Sequence, residues 1–344
     1  MQTHPLAVRQ PAEWESHSAV WTAWPSHPGY WEGHIEAARR DVAGMIRAIA
    51  LPSASRATPE RVHVWAHEGE AMDSASAALQ GLDVDLECQP LGDIWFRDVA
   101  PIFVRSGSGS LEYRTFRYNG WGGKYVMKHD DTVASRIAAK VGLAGRSSGM
   151  IFEGGALDVD GTGLGLTTRS CLLNSNRNPD WSQAEIERCL CENLGVDTLV
   201  WLDDGLLNDH TDGHIDNIAR FVAPGVVVCQ RPAGENDPNR DVLQKIAADL
   251  RAWRSPSGKF LQVVEIPSPG KVLDESGSIV PASHMNFYIA NHKVIVPVYG
   301  TPSEAKAVNE LQSLFPGREV VGLPANGVLM GGGSFHCITQ QQPA

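Results

Sequence analysis

Apolar positions along the chain recur with two periods, and each period predicts a different kind of element. From Glu32 to Ala50, residues Ile35, Ala38, Val42, Met45, Ile46 and Ile49 fall at helical spacing, and Leu51-Pro52 closes the run. Three further segments repeat the pattern clearly. One is capped by Asp180, carries Ile186, Leu190 and Leu194, and ends at Gly195. Another starts at Asn239 and carries Val242, Ile246 and Leu250. A third opens with Thr301, Pro302 and Glu304 as a capping box with proline at the first helical position, followed by Val308, Leu311 and Leu314. A weaker helical pattern runs from Asp131 to Val141.

Between the helices lie short β-rich runs joined by turn residues, and each pair follows a polar or glycine-rich lead-in. Asp93-Ile-Trp-Phe-Arg-Asp98 leads into Ile102–Val104 and, past a Ser/Gly turn, Leu111–Tyr118. Glu153-Gly-Gly155 leads into Ala156–Val159 and Leu164–Thr168. His214-Ile-Asp216-Asn217 leads into Ile218–Val222 and Val226–Cys229. His284-Met-Asn286 leads into Phe287–Ala290 and Val294–Tyr299, and Gly331-Gly-Gly333 into a last strand, Phe335–Thr339. Asp98, Glu153, His214, Asn286 and Cys337 stand 55, 61, 72 and 51 residues apart in turn. A strand pair plus helix repeated about five times predicts an α/β fold of radial blades whose first strands line a central channel. A doubly wound parallel sheet is the alternative. Radial repetition is favoured because every lead-in delivers a reactive side chain. The Pro/Ser-rich piece from Leu51 to Pro59 is too short to separate domains, so residues 1–344 are expected to form one catalytic unit.

Composition narrows the function. The chain has 344 residues, of which 42% are hydrophobic and 20% charged, as in ordinary globular proteins. A formal net charge of −11 disfavours nucleic acid and anionic membrane surfaces and favours a small cationic substrate. The amino-terminal stretch lacks a basic and apolar leader pattern and no apolar run approaches a membrane span, so a cytoplasmic location is expected. The cysteines at 88, 171, 189, 191, 229 and 337 form no Cys-x-x-Cys pair. Most read as buried thiols packing as small hydrophobes.

Cys337 differs because it follows Gly331-Gly-Gly-Ser-Phe-His336, where backbone can bend to push a nucleophile into a cavity. His214 and Asp216, two apart on an expected strand, would share one face and suit proton transfer beside a charged group. Asp98 and Glu153 at two other lead-ins would give that cavity three carboxylates, tolerable only around a cation. The metal motif His-Glu-x-x-His is absent, and His210-x-x-x-His214 lacks its Glu. A guanidinium fits better: planar, always charged, gripped bidentately by carboxylates and stacked on an aromatic face, for which Trp95 is the candidate at about 0.5–2 kcal/mol. Gly145-Arg-Ser-Ser-Gly149 matches Gly-x-Ser-x-Gly without the strand and helix of a nucleophile elbow.

Pro11-Ala-Glu-Trp-Glu15, Trp21-Thr-Ala-Trp-Pro25, Asp93–Asp98, Asn119-Gly-Trp-Gly-Gly123, Glu153-Gly-Gly155, Leu172–Pro179, Thr211–Asn217, Asn286–Asn291 and Gly331–Cys337, in this order, resemble the agmatine deiminase family, related to bacterial peptidylarginine deiminases. The resemblance implies a five-bladed α/β propeller, the pentein fold, with ββαβ repeats around an active-site channel. It implies hydrolysis of a guanidino group to a ureido group and ammonia, agmatine giving N-carbamoylputrescine, with no cofactor and no metal. By motif, Cys337 resembles the nucleophile, His214 the acid/base, Asp98 and Asp216 the guanidinium-holding carboxylates, and Glu153 the carboxylate beside His214. Substrate contacts are implied for Trp95, Asp212, His210, Asn119, Trp121 and Gly332, and a homo-oligomer, dimer or tetramer, is implied as the assembly. One departure bears on substrate: Asp209-His210-Thr211-Asp212 puts His where the family usually has a Glu near the distal ammonium, leaving Asp158 or Asp212 to replace it. Ala156 and Arg169 also depart from the commoner residues. The competing expectations are deimination of free or peptidyl arginine to citrulline, and a non-catalytic propeller that binds basic peptides.

Overall fold

A computed structural model describes residues 8–53 and 57–344. Three positions of the Leu51–Pro59 piece, 54–56, and the first seven residues therefore lie outside the described chain. Among the described residues the strands form five separate sheets of three or four strands, which excludes a single doubly wound sheet. Four sheets share one plan. An antiparallel pair follows a lead-in, a helix crosses over, and a later strand adds parallel to the second of the pair. The pairs are Ile102–Ser106 with Leu111–Arg117, Asp158–Val159 with Leu164–Thr168, Ala219–Ala223 with Val226–Arg231, and Tyr288–Ile289 with Lys293–Val298. The added parallel strands are Gly145–Ile151, Thr198–Leu202, Gln262–Pro267 and Glu319–Pro324. Gly145–Gly149 thus lies within a strand, not at a nucleophile elbow.

The fifth sheet joins the two ends of the chain. Gln340–Pro343 runs antiparallel to His17–Ala23, which pairs in parallel with Arg61–Ala66 and then Val84–Cys88. The last strand therefore begins at Gln340 instead of Phe335. The amides of His336 and Cys337 donate to the Asn286 carboxamide oxygen at 3.0 and 3.2 Å, and the Cys337 carbonyl accepts from the Arg97 amide at 3.1 Å. Backbone groups that a ladder would need are already engaged with two other lead-ins.

The helices follow the apolar stripes. Ile35–Ala50 buries Ala38, Val42, Met45, Ile46 and Ile49, and Arg240–Ala252 buries Leu243, Ile246, Ala247 and Leu250. Asp130–Val141 lies where the weaker pattern placed it. The helix Gln183–Leu194 is capped by Ser182, not Asp180: the Ser182 hydroxyl accepts from the Glu185 amide while the Glu185 carboxylate accepts from the Ser182 amide. Gly195 ends it with φ 70°. Asn239 flanks its helix without capping it, because its side-chain oxygen accepts from the Leu207 amide. Half of the expected Thr301–Glu304 capping box forms before Glu304–Leu314: Glu304 accepts from the amides of Gly300 and Thr301, while the Thr301 hydroxyl meets Ser303. The helix Glu70–Ala78 is missed by the apolar pattern because its buried stripe consists only of Ala71 and Ala75. No helix among the described residues is long and apolar enough to cross a membrane.

Candidate active site

All five lead-ins end at one place. Asp98 sits on the helical turn Phe96–Val99, Glu153 precedes the turn Gly154–Ala156, and His214 and Asp216 flank the start of the turn Ile215–Asn217. His214 and Asp216 are therefore on a 3-10 turn where a strand is expected, and they still converge. Gly155 measures the convergence: a Cβ added there would lie 2.6 Å from His214 Nδ1, 3.0 Å from Asp98 Oδ1 and 3.1 Å from Asp216 Oδ2. Only a residue without a side chain leaves room for three charged groups around one point. The Gly155 amide also donates to Asp98 Oδ1 at 2.9 Å.

The Cys337 sulfur joins this group. It lies 3.6 Å from Asp216 Oδ2 and accepts from the Asn286 side-chain amide at 3.0 Å. Asp98 Oδ2 accepts from the Trp121 indole at 2.9 Å. The His214 ring stands 3.8 Å from Asp98 through Nδ1 and 3.8 Å from Glu153 through Nε2, and among the described residues neither nitrogen has a well-formed hydrogen bond. Glu153 receives Arg177 Nε on both oxygens at 3.0 and 2.8 Å. His336 ring nitrogens lie 2.7 Å from Asp216 and 2.8 Å from Glu13.

Burial and charge set the ionisation. Burial, with the Asp216 and Asp98 carboxylates, pushes the Cys337 thiol well above its usual range. Burial also raises Asp98, against the pull of His214. For His214, burial pulls the pKa down, but Asp98, Cys171 and Glu153 outweigh it and hold the ring well above the usual value. Glu153 is held below the usual carboxylate range because His214 and Arg177 overcome its burial. Asp216 is likewise low, because its bond with His336 and that ring's charge overcome burial.

A cavity of roughly 880 Å³ opens onto Cys337 and Asp98. Trp95, Trp121, His210 and Gly331–Gly333 line it, which brings the expected substrate contacts Trp95, Trp121, His210 and Gly332 to one cavity. Aromatic rings run along it in contact: Trp31 stacks on Trp95 at 6.1 Å, Trp95 meets Trp121 edge-on at 6.4 Å, Trp121 meets Tyr125 at 6.2 Å, and Tyr125 meets His210 at 5.8 Å. A Cβ on Gly333 would lie 2.6 Å from the Trp95 ring and 3.1 Å from the Cys337 sulfur. The cavity lining carries acids at Glu32, Asp93, Asp98, Asp209, Asp274 and Glu275 against one lysine, Lys124. That lysine already donates to the His210 carbonyl at 2.5 Å and to Asp212 at 2.7 Å.

Two predicted substrate contacts do not face the cavity. The Asn119 oxygen accepts from the Gly122 amide at 2.9 Å and its amide donates to the Asn176 carbonyl at 2.9 Å, so it caps a turn. Asp212, with φ 67°, turns to Lys124, Arg177 and Asn176 at 2.7, 2.7 and 3.0 Å. Asp158, the other expected replacement for the missing Glu, is tied to Arg220 at 2.9 Å and to the Phe221 amide. Asn286 and Arg177 are the functional residues that the residue chemistry missed. Asn286 stands at the fourth lead-in, in register with the catalytic candidates, and Arg177 lies within Leu172–Pro179. Glu153, Cys171 and His214 bring carboxylate, thiol and imidazole atoms within 4.8 Å of one another, a set that could hold a metal ion, although Arg177 occupies both oxygens of Glu153.

Comparison with known proteins agrees in extent and shape. The family model for Porphyromonas-type peptidyl-arginine deiminase matches residues 9–343. The agmatine deiminase of Stutzerimonas stutzeri strain A1501 is 38% identical, over 97% of this chain and 95% of its own. That of Pseudomonas aeruginosa strain LESB58 is 37% identical, over 98% and 95%. The solved structure of the Enterococcus faecalis agmatine deiminase superposes with a TM-score of 0.89 at 31% identity, covering 98% of this chain and 96% of that one.

Proposed function

The chain belongs to the Porphyromonas-type peptidyl-arginine deiminase family, and from that premise we propose that it is an agmatine deiminase, hydrolysing agmatine to N-carbamoylputrescine and ammonia through a covalent intermediate on Cys337. The observation that carries the reading is the packing of Asp98, Asp216 and His214 around the gap left by Gly155, with Cys337 Sγ 3.6 Å from Asp216. Glu153 is already paired with Arg177, whereas among the described residues Asp98 accepts only from the neutral Trp121 indole and Gly155 amide and Asp216 Oδ1 accepts from nothing, so these two buried carboxylates beside the thiol favour a cation.

In the empty pocket the thiol is protonated and faces Asp216. An incoming guanidinium places its N–H groups on Asp98 and Asp216 and its face against Trp95, and its charge cancels the carboxylates that disfavour the thiolate. The thiol proton is released to solvent as the cation binds, because His214 is already protonated, and the Asn286 amide at 3.0 Å stabilises the sulfur anion. The sulfur attacks the guanidinium carbon to give a tetrahedral adduct. The His214 imidazolium, held protonated by its acidic neighbours, gives its proton to one amino group. Ammonia departs and an amidinium thioester, the S-alkylthiouronium, remains. A water then loses a proton to the neutral His214 as it adds to the carbon. Collapse expels the thiolate and leaves the ureido product after loss of the hydroxyl proton. Glu153, itself fixed by Arg177, keeps the ring oriented. None of these steps calls on a cofactor.

Arginine is the weaker fit. Its α-carboxylate would enter a cavity lined by six acids, and the single lysine there is already engaged. The five sheets, with the last closed by the two chain ends, favour a five-bladed propeller forming one catalytic unit. The test is incubation with agmatine, arginine and an arginine-ended peptide in the presence of EDTA, with ureido product and ammonia measured. Agmatine should show the highest kcat/KM, and Cys337→Ala should abolish turnover. Silence on all three substrates, or substantial kcat in the Ala variant, would contradict the proposal.

A further inference from the structure

The agmatine reading leaves the amine tail without a partner, because residue 210 is His, Asp212 is held by Lys124 and Arg177, and Asp158 is held by Arg220. The remaining acids of the cavity are unequal. Asp209 accepts from the Thr211 amide and hydroxyl of its own turn, and Asp274 from Ser276 and the Ser278 amide of its own. Glu32 is exposed and the Glu275 side chain is 85% exposed, where an ion pair is worth little against water and salt. Asp98 belongs to the guanidinium. Asp93 stands apart: it lines the cavity and is 3% exposed, one oxygen accepts from the Trp95 indole at 2.9 Å, and the other, Oδ1, is buried without a well-formed hydrogen bond among the described residues, although the Ile94 amide and the Trp31 indole lie near enough to act on the carboxyl.

Resting on the deiminase reading above, we propose that Asp93 is the specificity-determining residue that binds the distal ammonium of the substrate, in place of an acid at position 210. The geometry follows the Trp95 ring. Its six-membered edge meets the space next to the Cys337 sulfur, as the Gly333 gap measures, and its N–H edge is fixed to Asp93. A guanidine lying along this indole with its carbon at the sulfur has its tail directed toward Asp93. The amine nitrogen of extended agmatine lies roughly 7 Å from the guanidinium carbon by standard bond lengths, a span suited to a ring of this size. With a small rotation of the carboxylate toward the cavity, an ammonium there would satisfy Oδ1, and a pair at this depth is screened less by water and salt than one with the rim acids. Burial and the nearby Asp130 push the Asp93 carboxyl up to about 7, so an arriving cation would also favour its ionised form. A tail ending in a carboxylate would be repelled and one ending in a methyl group would leave Oδ1 unpaired, which gives the site a means of rejecting both.

The experiment compares kcat/KM for agmatine and for butylguanidine, which keeps the four-carbon chain but lacks the amine, in the wild type and in Asp93→Asn. The Asn oxygen can still accept from Trp95. The expected result is a wild-type preference for agmatine that falls at least about tenfold in the variant, with Asp93→Glu recovering part of it. An equal loss on both substrates would mean that Asp93 only positions Trp95, and an absent or unchanged preference would likewise overturn the inference while leaving the deiminase reading standing. If the wild type turns over neither guanidine, the reading itself fails and the inference with it. Should the Asn variant not fold, a crystal structure of Cys337→Ala with agmatine decides: the amine within hydrogen-bond distance of Asp93 Oδ1 supports the assignment, and an amine bound to any other group refutes it.

Discussion

At the scale of single residues, the site depends on what is missing as much as on what is present. Gly155 has no special backbone requirement, yet a methyl group there would press on His214, Asp98 and Asp216 together. Gly155→Ala should therefore keep the fold and lose at least about a hundredfold in kcat/KM, since displacements near 1 Å in a catalytic group cost that much. Near-normal turnover with an unchanged thermal midpoint would show that the three groups do not work as a set. The residue types at this site were largely readable in the chain: a cysteine after three glycines, a His-x-Asp pair and two isolated acids. Their orientations were not. Asn119 and Asp212 sit in motifs beside the cavity, but the first spends its oxygen on the Gly122 amide and the second is turned by φ 67° toward Arg177 and Lys124. A motif locates a neighbourhood, and local hydrogen bonds decide which way each side chain points.

At the scale of elements, apolar spacing located five helices and four hairpins, because one buried face is a strong periodic signal. End points were less legible where two polar residues compete. Asp180 and Ser182 both suit a cap, and Ser182 wins because Glu185 lies three residues on to complete the reciprocal pair. Ser182→Ala should cost about 1 kcal/mol, seen as a lower urea midpoint, whereas Asp180→Ala should leave it nearly unchanged. The start of the helix Asp130–Val141 carries a pH-dependent effect. Burial pushes the Asp130 carboxyl up to about 7, while it accepts from the Gly92 and Asp93 amides at 3.0 and 3.2 Å. The unfolded chain titrates this group near ~4, so the folded state binds the extra proton between there and about 7, and stability from this group falls as pH rises through that window. Asp130→Asn, which retains an acceptor for both amides, should gain on the wild type in urea midpoint between pH 5 and pH 8. Parallel profiles would contradict this account of Asp130.

At the scale of the whole molecule, pairing between the two ends of the chain holds Cys337, the proposed nucleophile, in place. The strand Gln340–Pro343 pairs with His17–Ala23 only three residues after Cys337, and the Thr22 hydroxyl donates to the Ile338 carbonyl at 2.7 Å. This closure was hard to read in the sequence: the partner of the last strand lies more than 300 residues away, and the apolar alternation of Phe335–Thr339 imitates a strand that its hydrogen bonds to Asn286 and Arg97 prevent. The repeat itself was legible, because each unit carries its own lead-in. On the proposed function, five distant segments assemble one site in which the Cys337 thiol attacks a guanidinium. Acid quenching during steady-state turnover of agmatine, followed by peptide mass mapping, tests it directly. A single adduct, agmatine less ammonia, is expected on Cys337. Steady turnover with no adduct on Cys337, or with the adduct on another residue, would contradict it.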